Sequence, residues 1–173
     1  MRINEDAPIV LRHEIDIFAP PEKIWQHLSQ IEVWREWHPD IHDAHWVPSD
    51  NGSQMDFQWR VGMFKVKSRI ESWIETEEIG WSGSSWLAHG RQVFYIDGNY
   101  KSSRVWSEAS IEGFLVVALR GKAELLLNRF GGTWLGALKT KLEAEGPSRR
   151  KEEPRPPRPR RSMYVPRFPG TRW

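Results

Sequence analysis

Two adjacent prolines between a strand-like pattern and a tryptophan-rich helical one constrain this chain more than any other feature. The stretch from Ile17 to Ile41 reads IFAPPEKIWQHLSQIEVWREWHPDI. Before it, Ile15 and Ile17 alternate with Glu14 and Asp16, the period of a half-buried strand. Pro20 and Pro21 end that strand. Proline suits the first turn of a helix, where the N–H it lacks would have no partner. Ile24, Trp25 and Leu28 then recur at helical spacing. Ser29 with Glu32 has the form of a capping box and predicts the start of a second short helix. Val33, Trp34 and Trp37 give that helix an aromatic face, and His38-Pro39 ends it. The next apolar residue, Ile41, begins a new strand within two residues. Strand, two short helices and strand are thus fixed within a few turns of chain.

Period-two alternation follows for much of the sequence. Met55, Phe57 and Trp59 alternate with polar residues. So do Phe64, Val66, Ser68, Ile70, Ser72 and Ile74 against Lys65, Lys67, Arg69, Glu71 and Trp73. Asn51-Gly52 and Gly62 are turn signals between these runs. Further strands are expected at Ile41–Val47, Ile79–Trp86, Arg91–Ile96 and Arg104–Ile111, with a turn at Asp97-Gly98-Asn99. With Val10–Phe18 this gives about seven strands whose short connections require antiparallel pairing. Near the end the period changes. Leu126, Leu127, Phe130, Trp134, Leu138 and Leu142 form one stripe of a long helix. Gly131-Gly132 interrupts it, and Gly146-Pro147 ends it.

The net charge of +2 conceals an asymmetry. Nine of the 25 Lys+Arg and two of the 23 Asp+Glu lie in residues 146–173, so that segment carries +7 and the body −5. A nucleic-acid reading based on the overall basic pI would therefore misplace the charge. The Pro- and Arg-rich segment cannot bury a core and is expected to be a disordered tail on a domain spanning residues 1–145. Such a tail could touch anionic membrane or RNA, or serve only as a solubilising extension. The chain has no Cys, which excludes disulfides and thiolate metal sites. No apolar run approaches the roughly 18 residues of a membrane span, and a cytoplasmic protein is expected.

The opening stretch resembles that of the START/Bet v 1-like (SRPBCC) superfamily, in particular its polyketide cyclase/dehydrase and lipid-transport branch. Ile79-Gly80-Trp81-Ser82-Gly83 is similar to that group's mid-sheet segment. Ser107 to Gly113 resembles its acidic strand end before the final helix, and Leu138-Lys139 with Glu143 and Glu145 resembles its helix end. The resemblance covers roughly Val10 to Glu145. It implies an α+β helix-grip fold: a curved seven-stranded antiparallel sheet around a long C-terminal helix, with two short helices after the first strand. It also implies a cavity between sheet and helix for a hydrophobic small molecule such as a lipid, sterol or aromatic polyketide.

On that reading Phe57, Trp59, Val66, Ile70, Trp81, Phe94, Leu127, Phe130 and Trp134 are the ligand-binding candidates. Aromatics at such spacing are more often plain core, which is the alternative reading for each of them. Trp34 and Trp37 are expected to pin the short helices, whereas Trp73 and Trp86 fall on outward-facing positions. No catalytic residue can be assigned. His13 and Gln92 share parity with inward residues, and Arg69, Glu71, His89 and Glu108 would qualify only if that parity were shifted. No nucleophile elbow or phosphate loop is present, and no cofactor is called for. The run HPDIHDAH (His38 to His45) is dense in potential metal ligands. Pro39 breaks any helix that would align His38 with His42, and a strand would turn His42 and His45 to opposite faces, so no metal site is expected. A carrier or sensor is the leading reading, and an aromatase/cyclase- or dehydratase-type enzyme using the same pocket is the alternative. Gly131-Gly132 either softens the helix beside the pocket or lets helix and sheet approach closely.

Overall fold

In the computed structural model, residues 1–48 and 55–146 are described. The first strand, β1, runs Ile9–Ile17. Helix α1 (Pro21–Ser29) opens with Pro at its first position, as the sequence requires. A 3-10 turn (Ile31–Val33) and the single-turn helix α2 (Trp34–Trp37) follow. The capping box does not form. Ser29 is still inside α1, and Gln30 precedes the 3-10 turn without a side-chain cap. Apolar burial of Ile31 and Trp34, not capping, sets this segment.

Strands β2 (Ile41–Trp46), β3 (Asp56–Val61), β4 (Phe64–Ile74), β5 (Glu78–Ser84), β6 (His89–Gly98) and β7 (Ser103–Glu112) complete one sheet. Its order is β1-β7-β6-β5-β4-β3-β2, and each adjacent pair is antiparallel. Among the described residues, only the β1–β7 pairing joins strands distant in the chain. The β3–β4 reversal passes through Gly62 at φ +54°, a conformation glycine adopts without strain. Asn51-Gly52 lies outside the described residues. Asn99 stabilises the β6–β7 turn by accepting hydrogen bonds from the N–H groups of Lys101 (2.9 Å) and Ser102 (3.3 Å).

A short helix, α3 (Phe114–Ala118), leads into α4 (Arg120–Ala144), which passes through Gly131-Gly132 unbroken. The predicted interruption is therefore absent. Gly146, at φ +71°, ends the helix as expected, its N–H donating to the Glu143 carbonyl (3.3 Å). Lys139 and Lys141 near that end pair with Glu143 (3.6 Å) and Glu145 (3.2 Å). Residues from Pro147 on, and with them the expected tail, lie outside the described residues. Among the described residues no helix is long and apolar enough to cross a membrane.

Helix α4 lies along β1. Asn128 faces His13, Lys139 Nζ donates to the Asp16 carbonyl (2.8 Å), and Glu143 accepts from the Phe18 N–H (3.1 Å). Its second half buries Trp134, Leu135, Leu138 and Leu142 against the main core. Its first half covers a smaller cluster of Ile9, Leu11, Ala109 and Val116, with Leu127 and Ala123 packed on it. The expected apolar stripe is thus shorter than the sequence suggests. Leu126 is 62% exposed, and Leu125, Leu119 and Val117 face solvent as well.

Candidate aromatic site between sheet and helix

Strand alternation places Phe57 and Trp59 of β3, Ile70 of β4, Trp81 of β5 and Phe94 of β6 on the concave face, all buried. Val66 and Phe130 are half-buried against the same core, and Trp134 reaches it from α4. These residues come together as the sequence predicts. Leu127 does not join them. It sits three residues before Phe130 on α4, and packs instead in the smaller cluster beside Leu11 and Ala109.

Parity holds along β4 only as far as Ile70. A register shift between Ile70 and Ser72 turns the strand, leaving Ile74 half-exposed and bringing Trp73 against Trp25 of α1, edge to face at 5.1 Å. Trp73 remains exposed, as expected, while one edge of its ring packs on the short helix. Trp86 lies beyond the end of β5 and is 79% exposed.

The space between α4 and the sheet is filled by rings. Because α4 lies against β1, it reaches β3, β5 and β6 only through large side chains. Trp134 meets Trp59 at 5.8 Å, Trp81 at 6.0 Å and Phe94 at 5.7 Å. Trp34 enters from α2 and contacts Phe57, Trp59, Trp81 and Trp134 at 5.1–6.1 Å. Phe130 stacks on Trp59 at 6.3 Å and forms the half-buried rim of the layer. Two surface hollows, of about 520 and 460 Å³, lie elsewhere: one around Pro21, Thr76 and Trp106, the other around Leu11, Leu125 and Asn128.

Polar groups are interspersed among the rings. Trp34 Nε1 donates to the Leu28 carbonyl (3.1 Å), and Trp59 Nε1 donates to Ser68 Oγ (3.0 Å). Gln92 Nε2 donates to Ser107 Oγ (2.7 Å) on the inner face. His38, 1% exposed, lies against Phe130 (5.0 Å) and Trp134 (4.8 Å). Burial away from water pushes its pKa down to about 4, against a smaller opposing pull from Asp40. The sequence marks His38 as the end of a short helix and gives it no part in the ligand site. Its position directly after Trp37 was the available signal.

The remaining polar candidates separate. His13 is half-buried and faces α4, its Nε2 within 2.9 Å of Asn128 Oδ1. Arg69 pairs with Asp56 (2.6 Å), Glu108 with Arg12 (3.2 Å) and His89 with Glu112 (3.3 Å), all at exposed or half-exposed positions away from the core. Glu71 is exposed. His42 and His45 are exposed too, and among the described residues no group of three or more His, Asp or Glu is placed to hold a metal ion.

His13 also explains Gly131. A Cβ on Gly131 would lie 2.7 Å from His13 Cε1 and 2.9 Å from Nδ1, whereas one on Gly132 would come no closer than 4.0 Å to the ring. Close approach, not softening, accounts for the first glycine. Gly132→Ala is therefore expected to stabilise the protein by up to about 1 kcal/mol through helix propensity. Gly131→Ala should forfeit that gain, because the imidazole must leave Asn128. In urea unfolding, pairing Gly131→Ala with His13→Ala should restore the gain. Equal stabilisation by both single substitutions would contradict this account.

A family model described as polyketide cyclase/dehydrase and lipid transport matches residues 8–143. No curated protein matches the chain at the sequence level. Among solved structures, a START superfamily protein from Mycobacterium smegmatis superposes with a TM-score of 0.62 at 15% identity, over 79% of this chain and 98% of that one. The Zhui aromatase/cyclase from Streptomyces sp. R1128 superposes with a TM-score of 0.69 at 12% identity, over 79% and 94%. A hypothetical protein from Helicobacter pylori gives 0.70 at 15%, over 80% and 90%. These likenesses are of fold. The family match runs from just before β1 into the last turn of α4, so this chain belongs to the polyketide cyclase/dehydrase and lipid-transport family.

Proposed function

We propose that this protein binds a hydrophobic small molecule between the concave face of the sheet and α4, as a carrier or sensor. The supporting observation is that indole rings, and not close backbone packing, span the gap between α4 and strands β3, β5 and β6. A layer one aromatic side chain deep is the space a flat apolar ligand would need. Phe130, half-buried at its rim, is the side chain whose displacement would admit one. Phe57, Trp59, Val66, Ile70, Trp81, Phe94 and Trp134 would line the opened site, and Leu127, in the separate smaller cluster, would not. Aromatic walls offer large apolar area with fixed geometry.

A second reading is catalysis on a polyketide-like substrate in the same place. The Gln92–Ser107 pair and His13 supply polar groups on the inner side of the sheet, and one similar fold belongs to an aromatase/cyclase.

Titration with 2-methylnaphthalene, followed by tryptophan fluorescence, tests binding directly. Saturation at one molecule per chain is expected. A non-saturating response would contradict the proposal. Turnover of an aromatic polyketide thioester, lost on Gln92→Leu, would move the reading from carrier to enzyme.

A further inference from the structure

Three N–H groups in the aromatic layer have no hydrogen-bond partner among the described residues: Trp37 Nε1, His38 Nε2 and Trp134 Nε1. Each residue is at least nine-tenths buried, at 9%, 1% and 3% exposure. Their rings touch one another. Trp37 to His38 is 6.0 Å, Trp37 to Trp134 is 6.1 Å, and His38 to Trp134 is 4.8 Å. A buried donor left unpaired costs about 1–3 kcal/mol, and natural interiors carry few of them. Two other indoles of the same core are satisfied, Trp34 through Leu28 and Trp59 through Ser68. The three rings that carry the unpaired donors thus lie against one another.

The chemistry of that place is one-sided. The Asp40 N–H donates to His38 Nδ1 (3.2 Å), which makes Nδ1 the acceptor and leaves the ring hydrogen on Nε2 of a neutral imidazole. The touching rings therefore present donors only and no positive charge. A carboxylate would enter uncompensated, with the Asp40 carboxylate in sequence contact with His38. A neutral carbonyl oxygen has the acceptor lone pairs and no charge to desolvate. The surrounding walls, Phe130, Trp59 and Trp134, are flat.

We infer that the ligand is a flat, conjugated ketone or quinone whose carbonyl oxygen is received by His38 Nε2–H and the neighbouring indole N–H groups of Trp37 and Trp134. This rests on the binding reading above and names its ligand class. Phe130 lies directly against His38 at 5.0 Å, so the side chain that would move to admit a ligand also uncovers the principal donor.

A pair of matched probes separates the two ideas. Menadione (2-methyl-1,4-naphthoquinone) and 2-methylnaphthalene share a ring system and differ in the carbonyls. The absence of cysteine from the chain removes thiol addition to the quinone as a complication. Calorimetric titration of the whole protein should show menadione binding at least about tenfold more tightly, the order expected when a buried donor set is matched or left unpaired. His38→Phe should reduce that preference to near unity while 2-methylnaphthalene still binds. Should that variant fail to fold, the wild-type protein suffices. Indole N–H proton resonances of Trp37 and Trp134 should move downfield with menadione and not with 2-methylnaphthalene. Equal affinity for both probes, or indole resonances unmoved by menadione, would overturn the carbonyl inference and leave hydrophobic binding standing. Binding of neither probe would overturn both.

Discussion

Trp134→Ala is expected to lower the unfolding free energy by about 3–5 kcal/mol, enough to threaten folding in a domain of this size. Trp134 is 3% exposed and touches Trp34, Trp37, His38, Trp59, Trp81, Phe94 and Phe130. No neighbouring backbone can collapse into its place, because α4 is held against β1 through Lys139, Glu143 and the His13–Asn128 contact. Trp134→Phe keeps much of the apolar area and removes one unpaired N–H, so its loss should be less than half as large. Leu125→Ala, by contrast, removes a side chain 74% exposed and should change stability by less than about 0.5 kcal/mol. Urea unfolding of the three variants gives the ranking. Trp134→Ala within about 1 kcal/mol of wild type would show that the aromatic layer contributes little to the fold.

Acidification should destabilise the protein through His38. Its pKa in the folded state is about 4, below the ordinary 6.5 of the unfolded chain. Between those values the unfolded state binds the extra proton, so stability rises with pH across that window. The contribution is fully present above about pH 6.5. It declines as pH falls and is lost by about pH 4. At about 1.36 kcal/mol per unit, the shift corresponds to a swing on the order of 3 kcal/mol. Asp40 is the charged group that opposes the shift, and the rings of Trp37, Phe130 and Trp134 packed on the imidazole carry none. Melting temperatures from pH 7.5 to pH 4 should therefore fall more steeply for wild type than for His38→Phe, the difference being confined to that window. Parallel curves would show that the imidazole is solvated in the folded protein.

The sequence carries most of this architecture because the opening segment is so constrained. Pro20-Pro21 fixes where β1 must stop and α1 begin, and three residues between Trp37 and Ile41 leave no room for another arrangement. Alternation then places Phe57, Trp59, Trp81 and Phe94 on one face correctly. It fails at β4 beyond Ile70, where a register shift that nothing in the local composition announces turns Trp73 onto Trp25. Helical spacing likewise marks Leu126 and Leu127 as continuous with Trp134. Only the tertiary arrangement reveals that the first half of α4 covers a separate, smaller cluster and leaves Leu126 outside. Gly131 reads either as a soft point in the helix or as room for close approach, and the structure shows the second. It is a seat for His13, a contact between residues far apart in sequence that no periodicity can show. His38 escaped for a related reason. A histidine that ends a short helix reads as a structural link, and its enclosure depends on Phe130 and Trp134 arriving from the far end of the chain.

The central claim is that the aromatic layer between sheet and α4 can open to hold a flat apolar molecule. Isotope-filtered NMR of the labelled protein with unlabelled 2-methylnaphthalene tests it most directly, because it reports which side chains the ligand touches. The account predicts intermolecular nuclear Overhauser effects to the ring protons of Phe130, Trp59 and Trp134. Effects confined to Leu125 and Leu126 on the exposed face of α4, with none to those rings, would contradict it.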